Sequence, residues 1–219
     1  MDLYQKKWRK FTGLIWPFQF MPFVDFVLAS GSLATRNIRK ESDFDVIVGV
    51  RNGRIFTARF LCFLIFKLLG SWAKHPGNSA DKLCFNHFVA PDGYTLKPPH
   101  NAYWQELYSK LIPIYGDPLH IQRFYRANQH WMKATKLYGE DSRHEVSGKN
   151  IVGKTIEEIL SGDFGNWLEE ELKKIQIRKI EKSRDPKNEY KPRMIINDDE
   201  LEFHPDTRRI EERMENFKG

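Results

Sequence analysis

Two aspartates, Asp43 and Asp45, stand one residue apart at the start of the apolar run DFDVIV. In a β-strand, residues two apart point to the same side and lie about 6.8 Å apart, so both carboxylates would converge on one place. Two like charges beside a hydrophobic core repel each other and lose solvation. A divalent cation offsets that cost, and Mg²⁺ suits a site of a few carboxylates, water and phosphate. An edge strand with aspartates on its solvent face would show the same pattern.

A second motif precedes the aspartates. Gly31 and Ser32 come twelve residues before Asp43, directly after a predicted strand at 23–29. Glycine lets the backbone approach a phosphate closely, and a following helix start offers free N–H groups. Ser42 fits the turn that starts the next strand, and three basic residues lie between the two motifs: Arg36, Arg39 and Lys40. These three side chains could neutralise phosphate charge, and a solvated loop would explain them equally well.

Together the two motifs resemble the nucleotidyltransferase superfamily that includes DNA polymerase β, and above all its minimal bacterial and archaeal members. The signature of that family runs Gly-Ser, small and basic residues, then Ser-Asp-x-Asp and aliphatic residues. The match covers about twenty-five residues and ends at Val50. The chain departs from the family at Arg36, where glycine is frequent, and at Lys40, where proline is frequent.

The resemblance implies a Mg²⁺-dependent enzyme that transfers an NMP from an NTP to a hydroxyl group. Asp43 and Asp45 would bind two Mg²⁺ ions, one activating the nucleophile and one steadying the leaving pyrophosphate. Gly31 and Ser32 would hold the β- and γ-phosphates. The implied nucleotide-binding set is Gly31, Ser32, Arg36, Arg39 and Ser42. The acceptor stays open: a small molecule, a protein or an RNA.

The family usually has a third carboxylate on a later strand, and the next predicted strand, KLCFNHFVA, has no acid inside it. Asp81 at its entrance is the candidate for this catalytic role. Asn86 could ligate a metal through its neutral oxygen, and His87 could lie near the acceptor. If none of them serves, the chain would be a catalytically impaired relative that binds a nucleotide or RNA.

Two rival sites are weaker. The stretch GKNIVGKT, residues 148–155, matches the P-loop pattern of NTPases, but the polar segment before it makes a poor core strand. A zinc site that includes Cys84 and His87 is disfavoured, because a regular strand would point them to opposite faces.

The pattern of elements predicts an α+β fold in three parts. A small mixed β-sheet nucleotidyltransferase core with flanking helices would occupy 1–98, a helical segment 99–183, and a charged, flexible tail 184–219. Within the second part, PIYGDP is read as a break between helices, and 155–183 as one helix.

Composition adds the remaining expectations. The 219 residues carry a net charge of +6, concentrated at residues 1–10 and 171–193. These basic flanks would be solvated arms or contacts to nucleic acid. Two cysteines are too few for a disulfide scaffold, which favours a cytoplasmic protein. The apolar run at 55–70 holds Arg59 and Lys67, so we expect no transmembrane segment.

Overall fold

The computed structural model describes residues 1–73, 79–98, 100–132, 143, 148–183 and 193–204. Its centre is one mixed six-stranded sheet, in the order β4-β1-β2-β3-β6-β5. The strands are β1 Val24–Ala29, β2 Phe44–Val50, β3 Leu83–Val89, β4 Ile112–Gly116, β5 Arg193–Ile196 and β6 Glu200–His204. The α-helices are α1 Leu3–Gly13, α2 Gly31–Ala34, α3 Ile55–Leu68, α4 Ala102–Ser109, α5 Pro118–Met132, α6 Ile151–Ile159 and α7 Asp163–Ser183. The predicted α+β class is confirmed.

The first half of the sheet follows the predicted order. β1 and β2 run antiparallel, with Ala29 opposite Val46, and the turn between them contains α2. β2 and β3 run parallel, and α3 connects them, as parallel neighbours require. All six residues of β1 are buried, so this strand lies inside the sheet and carries the residues that lead into Gly31.

Each face of the sheet has its own hydrophobic core. One face packs against α1, α3 and α7 and is dominated by phenylalanines: Phe11, Phe18, Phe44, Phe66, Phe85 and Phe88. The opposite face packs against α4 and α5, with Phe26, Ile47, Trp104, Phe124 and Trp131. The two cores hold β2 from both sides, and this fixes the direction in which the side chain of Asp45 leaves the strand.

Two parts of the predicted organisation are corrected. The break predicted at PIYGDP contains β4, which pairs with β1 at the edge of the sheet, where Pro113 is tolerated. The predicted tail contains the hairpin of β5 and β6, and β6 pairs with β3. The sheet therefore draws strands from all three predicted parts of the chain.

The single helix predicted at 155–183 is also wrong. Two helices, α6 and α7, occupy this stretch, and a short turn at 160–162 that contains Gly162 separates them. Asp163 begins α7, where an acidic side chain interacts favourably with the helix dipole. Within the described ranges, none of the helices has the length and apolar character needed to cross a membrane.

Candidate metal and nucleotide site

The two predicted aspartates meet at the entrance of β2. Asp43 precedes the strand, Asp45 is its second residue, and Cys84 lies opposite Asp45 on β3. One ligand atom from each of these three half-buried side chains lies within 4.8 Å of the others. The cluster could hold a metal ion.

Gly31 packs directly against this cluster. Its φ is +61°, and a Cβ built at this position would lie 2.8 Å from Cγ of Asp45 and overlap the carboxylate. The N–H of the preceding Ser30 donates to the backbone carbonyl of Asp45 at 2.9 Å, which ties the end of β1 to the start of β2. Only glycine fits both the left-handed backbone and the contact. The structure therefore brings the Gly31-Ser32 turn and Asp45 together, as the motif spacing predicts.

The loop between the two motifs has defined turns. Arg36 adopts a φ of +59°, in the left-handed region that favours glycine. Its guanidinium lies 5.1 Å from the centre of the Tyr4 ring. The backbone N–H of Arg39 donates to Oγ of Ser42 at 3.0 Å. Ser42 thus closes the turn before Asp43, and the side chains of Arg36 and Arg39 are exposed along the loop.

Lys7 anchors the same loop from α1, a role that no local sequence pattern indicates. The side chain is buried, and its Nζ donates to the carbonyls of Lys40 and Ser42 at 2.6 and 2.7 Å. It also pairs with Asp81 at 2.7 Å. In the sequence, Lys7 is one of four basic residues in a polar run, where a solvated side chain is the ordinary expectation.

Asp81 supports the loop from the other side. Its backbone N–H donates to the carbonyl of Ser42 at 3.2 Å, and its carboxylate pairs with Lys7 and Lys10. Burial works to raise the pKa of Asp81, but the hydrogen bonds from Lys10 and Lys7 hold it below the ordinary value. The three clustered ligands are Asp43, Asp45 and Cys84, so a catalytic role for Asp81 stays a prediction.

Cys84 lies opposite Asp45 in the parallel register, three residues after Asp81, the predicted third carboxylate. Burial raises the pKa of its thiol, and the negative charges of Asp45 and Asp43 and a hydrogen bond to Asp43 raise it further. The thiol is therefore protonated at neutral pH, and it acts as a donor to Asp43 rather than as a third negative charge.

Asn86 completes the group of polar side chains around Asp45. Its Nδ2 donates to Oδ1 of Asp45 at 3.0 Å. Its own Oδ1 is buried and has no hydrogen-bond partner among the residues that the structure describes. A buried amide oxygen without a donor beside two carboxylates fits the third oxygen ligand of a hard divalent cation.

His87 lies outside this group, and the expected orientation of β3 is wrong. The register shifts between Val46 and Ile47, so that Asn86 is an extra residue and His87 pairs with Ile47. This bulge places Cys84 and His87 on the same face of the sheet. His87 is buried there between the hydroxyl of Tyr108, 3.1 Å from Nδ1, and Glu200, 3.2 Å from Nε2.

The P-loop pattern at 148–155 does not form a phosphate loop. Asn150 caps α6, which begins at Ile151, so the final Gly-Lys-Thr of the motif lies inside the helix. The N–H of Gly153 donates to Oδ1 of Asn150, and the N–H of Lys154 donates to its carbonyl. The backbone donors that a P-loop directs at phosphate are thus engaged in the helix cap.

The donors around β2 form a set of oxygens with one protonated thiol. Two carboxylates and an amide oxygen are hard ligands and the thiol is a soft one, so the cluster could hold a metal ion. The short α2 begins beside them, and the side chain of Ser30 does not cap it. Comparisons with protein-family models, curated proteins and solved structures found no match to the chain.

Proposed function

We propose that the chain is a Mg²⁺-dependent nucleotidyltransferase that transfers an NMP from an NTP to a hydroxyl acceptor. One observation carries the proposal: the backbone of Gly31 rests on the carboxylate of Asp45, in a cluster that includes Asp43. A glycine turn designed only to connect two strands has no need to contact a half-buried carboxylate. A turn that holds a metal-bound triphosphate requires this contact, because the phosphates must reach both the turn and the metal.

Each residue of the site would have a role that follows from its position. Asp43 and Asp45, with Oδ1 of Asn86, would hold Mg²⁺, which supplies charge neutralisation for the triphosphate and for the attacking oxygen. The backbone N–H groups at Gly31 and Ser32 would bind phosphate oxygens at the start of α2. The Cys84 side chain hydrogen-bonds to Asp43, which orients that carboxylate in the cluster.

A second candidate function rests on the third side chain of the cluster. The third side chain of the cluster is the thiol of Cys84, and Asp81, the predicted third carboxylate, is engaged by Lys7 and Lys10. A site with two carboxylates can bind a metal-bound nucleotide but has less capacity to take the proton from an acceptor hydroxyl. This second candidate is a catalytically impaired relative that binds nucleotide and transfers nothing.

The experiment uses two positions of the radiolabel. The purified protein is incubated with Mg²⁺, a cell lysate and an NTP labelled at either the α- or the γ-phosphate. NMP transfer moves only the α-label into an acceptor, whereas phosphoryl transfer by a kinase moves only the γ-label. Binding of MgATP is measured in parallel by calorimetry.

Asp45→Asn is the test variant, and Asp198→Asn is the matched control. Asp198 is an exposed carboxylate that pairs with Lys173 on the surface. We expect Asp45→Asn to reduce transfer of the α-label at least about a hundredfold, because a metal ligand is lost, and Asp198→Asn to leave it unchanged. MgATP binding that depends on Asp45 without any transfer supports the impaired relative. MgATP binding that ignores Asp45, or none at all, overturns both candidates.

A further inference from the structure

A basic groove lies beside the loop that leads into Asp43. It is a cavity of about 590 Å³ between α1 and the loop, and five cationic side chains and one carboxylate line it together with Met1 and Leu3. The charged residues are Lys6, Lys7, Arg9, Lys10, Lys40 and Asp81. The groove therefore has a large excess of positive charge in a chain whose total net charge is +6.

The cations of the groove fall into two groups. Lys7 and Lys10 pair with Asp81, and Lys7 also holds the loop carbonyls, so these two side chains have a structural task. Lys6, Arg9 and Lys40 are exposed and point their charge into water. Exposed like charges on one surface repel each other, and a polyanion that binds there relieves this repulsion and releases its own counterions.

The groove adjoins the loop that leads into the proposed site. Lys40 lines it, the carbonyls of Lys40 and Ser42 accept from Lys7, and Asp43 is the next residue. α1 has eleven residues and is about 16 Å long, which spans several nucleotides of a strand. A chain of phosphates bound along α1 would lie beside the loop that leads into Asp43.

We propose that this groove binds the sugar–phosphate backbone of a single-stranded nucleic acid, whose terminal hydroxyl is the acceptor. The role as acceptor rests on the proposed nucleotidyl transfer; the binding itself does not. A nucleic acid strand combines the two features that the groove and the site require, a row of negative charges and a hydroxyl at its end. RNA and DNA share this backbone, and the experiment distinguishes them.

The test measures fluorescence anisotropy of labelled single-stranded RNA and DNA, each about twelve nucleotides long, between about 50 and 200 mM salt. The groove variant is Lys6→Glu with Arg9→Glu. The matched control is Lys67→Glu with Arg126→Glu, which reverses one lysine and one arginine at exposed positions of α3 and α5, outside both basic flanks. Both variants change the net charge equally, and circular dichroism checks that both remain folded.

We expect the groove variant to weaken binding at least about tenfold and to reduce the salt slope by about 1.4, since two phosphate contacts are lost. The control variant is expected to stay within about twofold of the unchanged protein, because it leaves the groove intact. Preference for RNA, or equal binding of RNA and DNA, supports the proposal and identifies the source of the backbone. Equal losses in both variants, or competition by polyglutamate as strong as that by nucleic acid, overturn it.

The two proposals fail separately. If MgATP binds through Asp45 and the oligonucleotides do not bind, the groove proposal is wrong and the proposed function stands. If the oligonucleotides bind through Lys6 and Arg9 while MgATP binding ignores Asp45, the proposed function is wrong and the groove stands.

Discussion

Carboxylates gather at both ends of the β1–β2 pair, and the chain treats the two groups differently. At the end where β1 begins, Glu157 pairs with Arg51 and Lys149 and accepts from the N–H of Phe23 at 3.0 Å. Arg51 also pairs with Asp25 at 3.2 Å. Cations of the protein itself therefore pair with both Glu157 and Asp25 at this end.

At the other end, the thiol of Cys84 lies against Asp43, the amide of Asn86 donates to Asp45, and Gly31 covers Asp45. These contacts orient the two carboxylates. Clustered acids that are oriented in this way are typical of sites that bind a cation, whereas the Arg51 network is typical of a structural ion-pair cluster. The cluster at the entrance of β2 is therefore the place where a metal ion could bind.

Gly31→Ala should have the largest effect on the difference between the two ends of the β1–β2 pair. Alanine at this position must adopt a left-handed backbone and must displace the carboxylate of Asp45, so we expect a stability loss of about 3 kcal/mol. MgATP affinity should fall at least about a hundredfold, because a metal ligand and the phosphate turn both move. Denaturant unfolding and calorimetry measure the two effects.

Gly53→Ala is the matched control at the other end of β2. Gly53 has a φ of +68°, but a Cβ built there meets nothing within 4 Å. The Gly53→Ala variant should lose only about 1 kcal/mol in the free energy of unfolding, from the left-handed backbone, and should keep its affinity for MgATP. Equal effects of the two substitutions on MgATP would show that Gly31 has no role beyond its backbone conformation.

Lys7→Met should give the next largest effect. It tests whether a buried lysine stabilises the loop beside the candidate site. The substitution leaves the carbonyls of Lys40 and Ser42 without their donor and removes one partner of Asp81. We expect a loss of about 2 to 3 kcal/mol in the free energy of unfolding, since charge-assisted hydrogen bonds of a buried lysine are lost. Chemical denaturation measures this loss.

Lys10→Met is the control for this prediction. Lys10 also pairs with Asp81, but its side chain is 60% exposed, and an exposed ion pair contributes about 1 kcal/mol or less. If both variants lose the same stability, the buried position of Lys7 does not fix the loop before Asp43.

The sequence predicts the parts of the fold that local patterns encode. β1, α2, β2, α3 and β3 each have a continuous apolar run or a turn signal of their own, and all five are found. β4 contains Pro113, which reads as a break, and only its pairing with β1 reveals an edge strand. β5 and β6 are four and five residues long and lie in a charged stretch, although the alternation in ELEFH is a strand signal that could have been used.

Local sequence patterns likewise predict some residues of the candidate site and not others. Gly31, Asp43 and Asp45 are predictable because their spacing is a property of one short segment. The role of Lys7 depends on carbonyls 33 and 35 residues away, and no local pattern encodes that contact. Cys84 faces Asp45 because of the register of β2 and β3, and the bulge at Asn86 is set by pairing that the sequence of one strand does not contain.

Glu157→Gln should have the smallest effect. It tests the end of the β1–β2 pair where Glu157 pairs with Arg51 and Lys149. Burial works to raise the pKa of Glu157, but the hydrogen bonds from Lys149 and from the N–H of Phe23, with the charges of Lys149 and Arg51, hold it below the ordinary value of 4.5. A carboxyl with a lowered pKa stabilises the fold above its unfolded pKa, and this contribution is lost as the pH falls through the folded value. We expect Glu157→Gln to lose about 2 kcal/mol at pH 7, and the difference from the unchanged protein to shrink below about pH 4.5.

Thermal or urea unfolding across the pH range measures this difference, with Glu106→Gln as the control. Glu106 forms an exposed pair with Lys110 one helical turn away, so its loss should cost at most about 0.5 kcal/mol. A Glu157→Gln variant that is as stable as the Glu106→Gln variant at pH 7 would mean that Arg51 and Lys149 do not balance this end. Because MgATP is proposed to bind at the opposite end of β2, the same variant should bind MgATP normally. A loss of MgATP binding without a loss of stability would instead indicate that the nucleotide binds at the Arg51 cluster. The roles assigned to the two ends of the β1–β2 pair would then be exchanged.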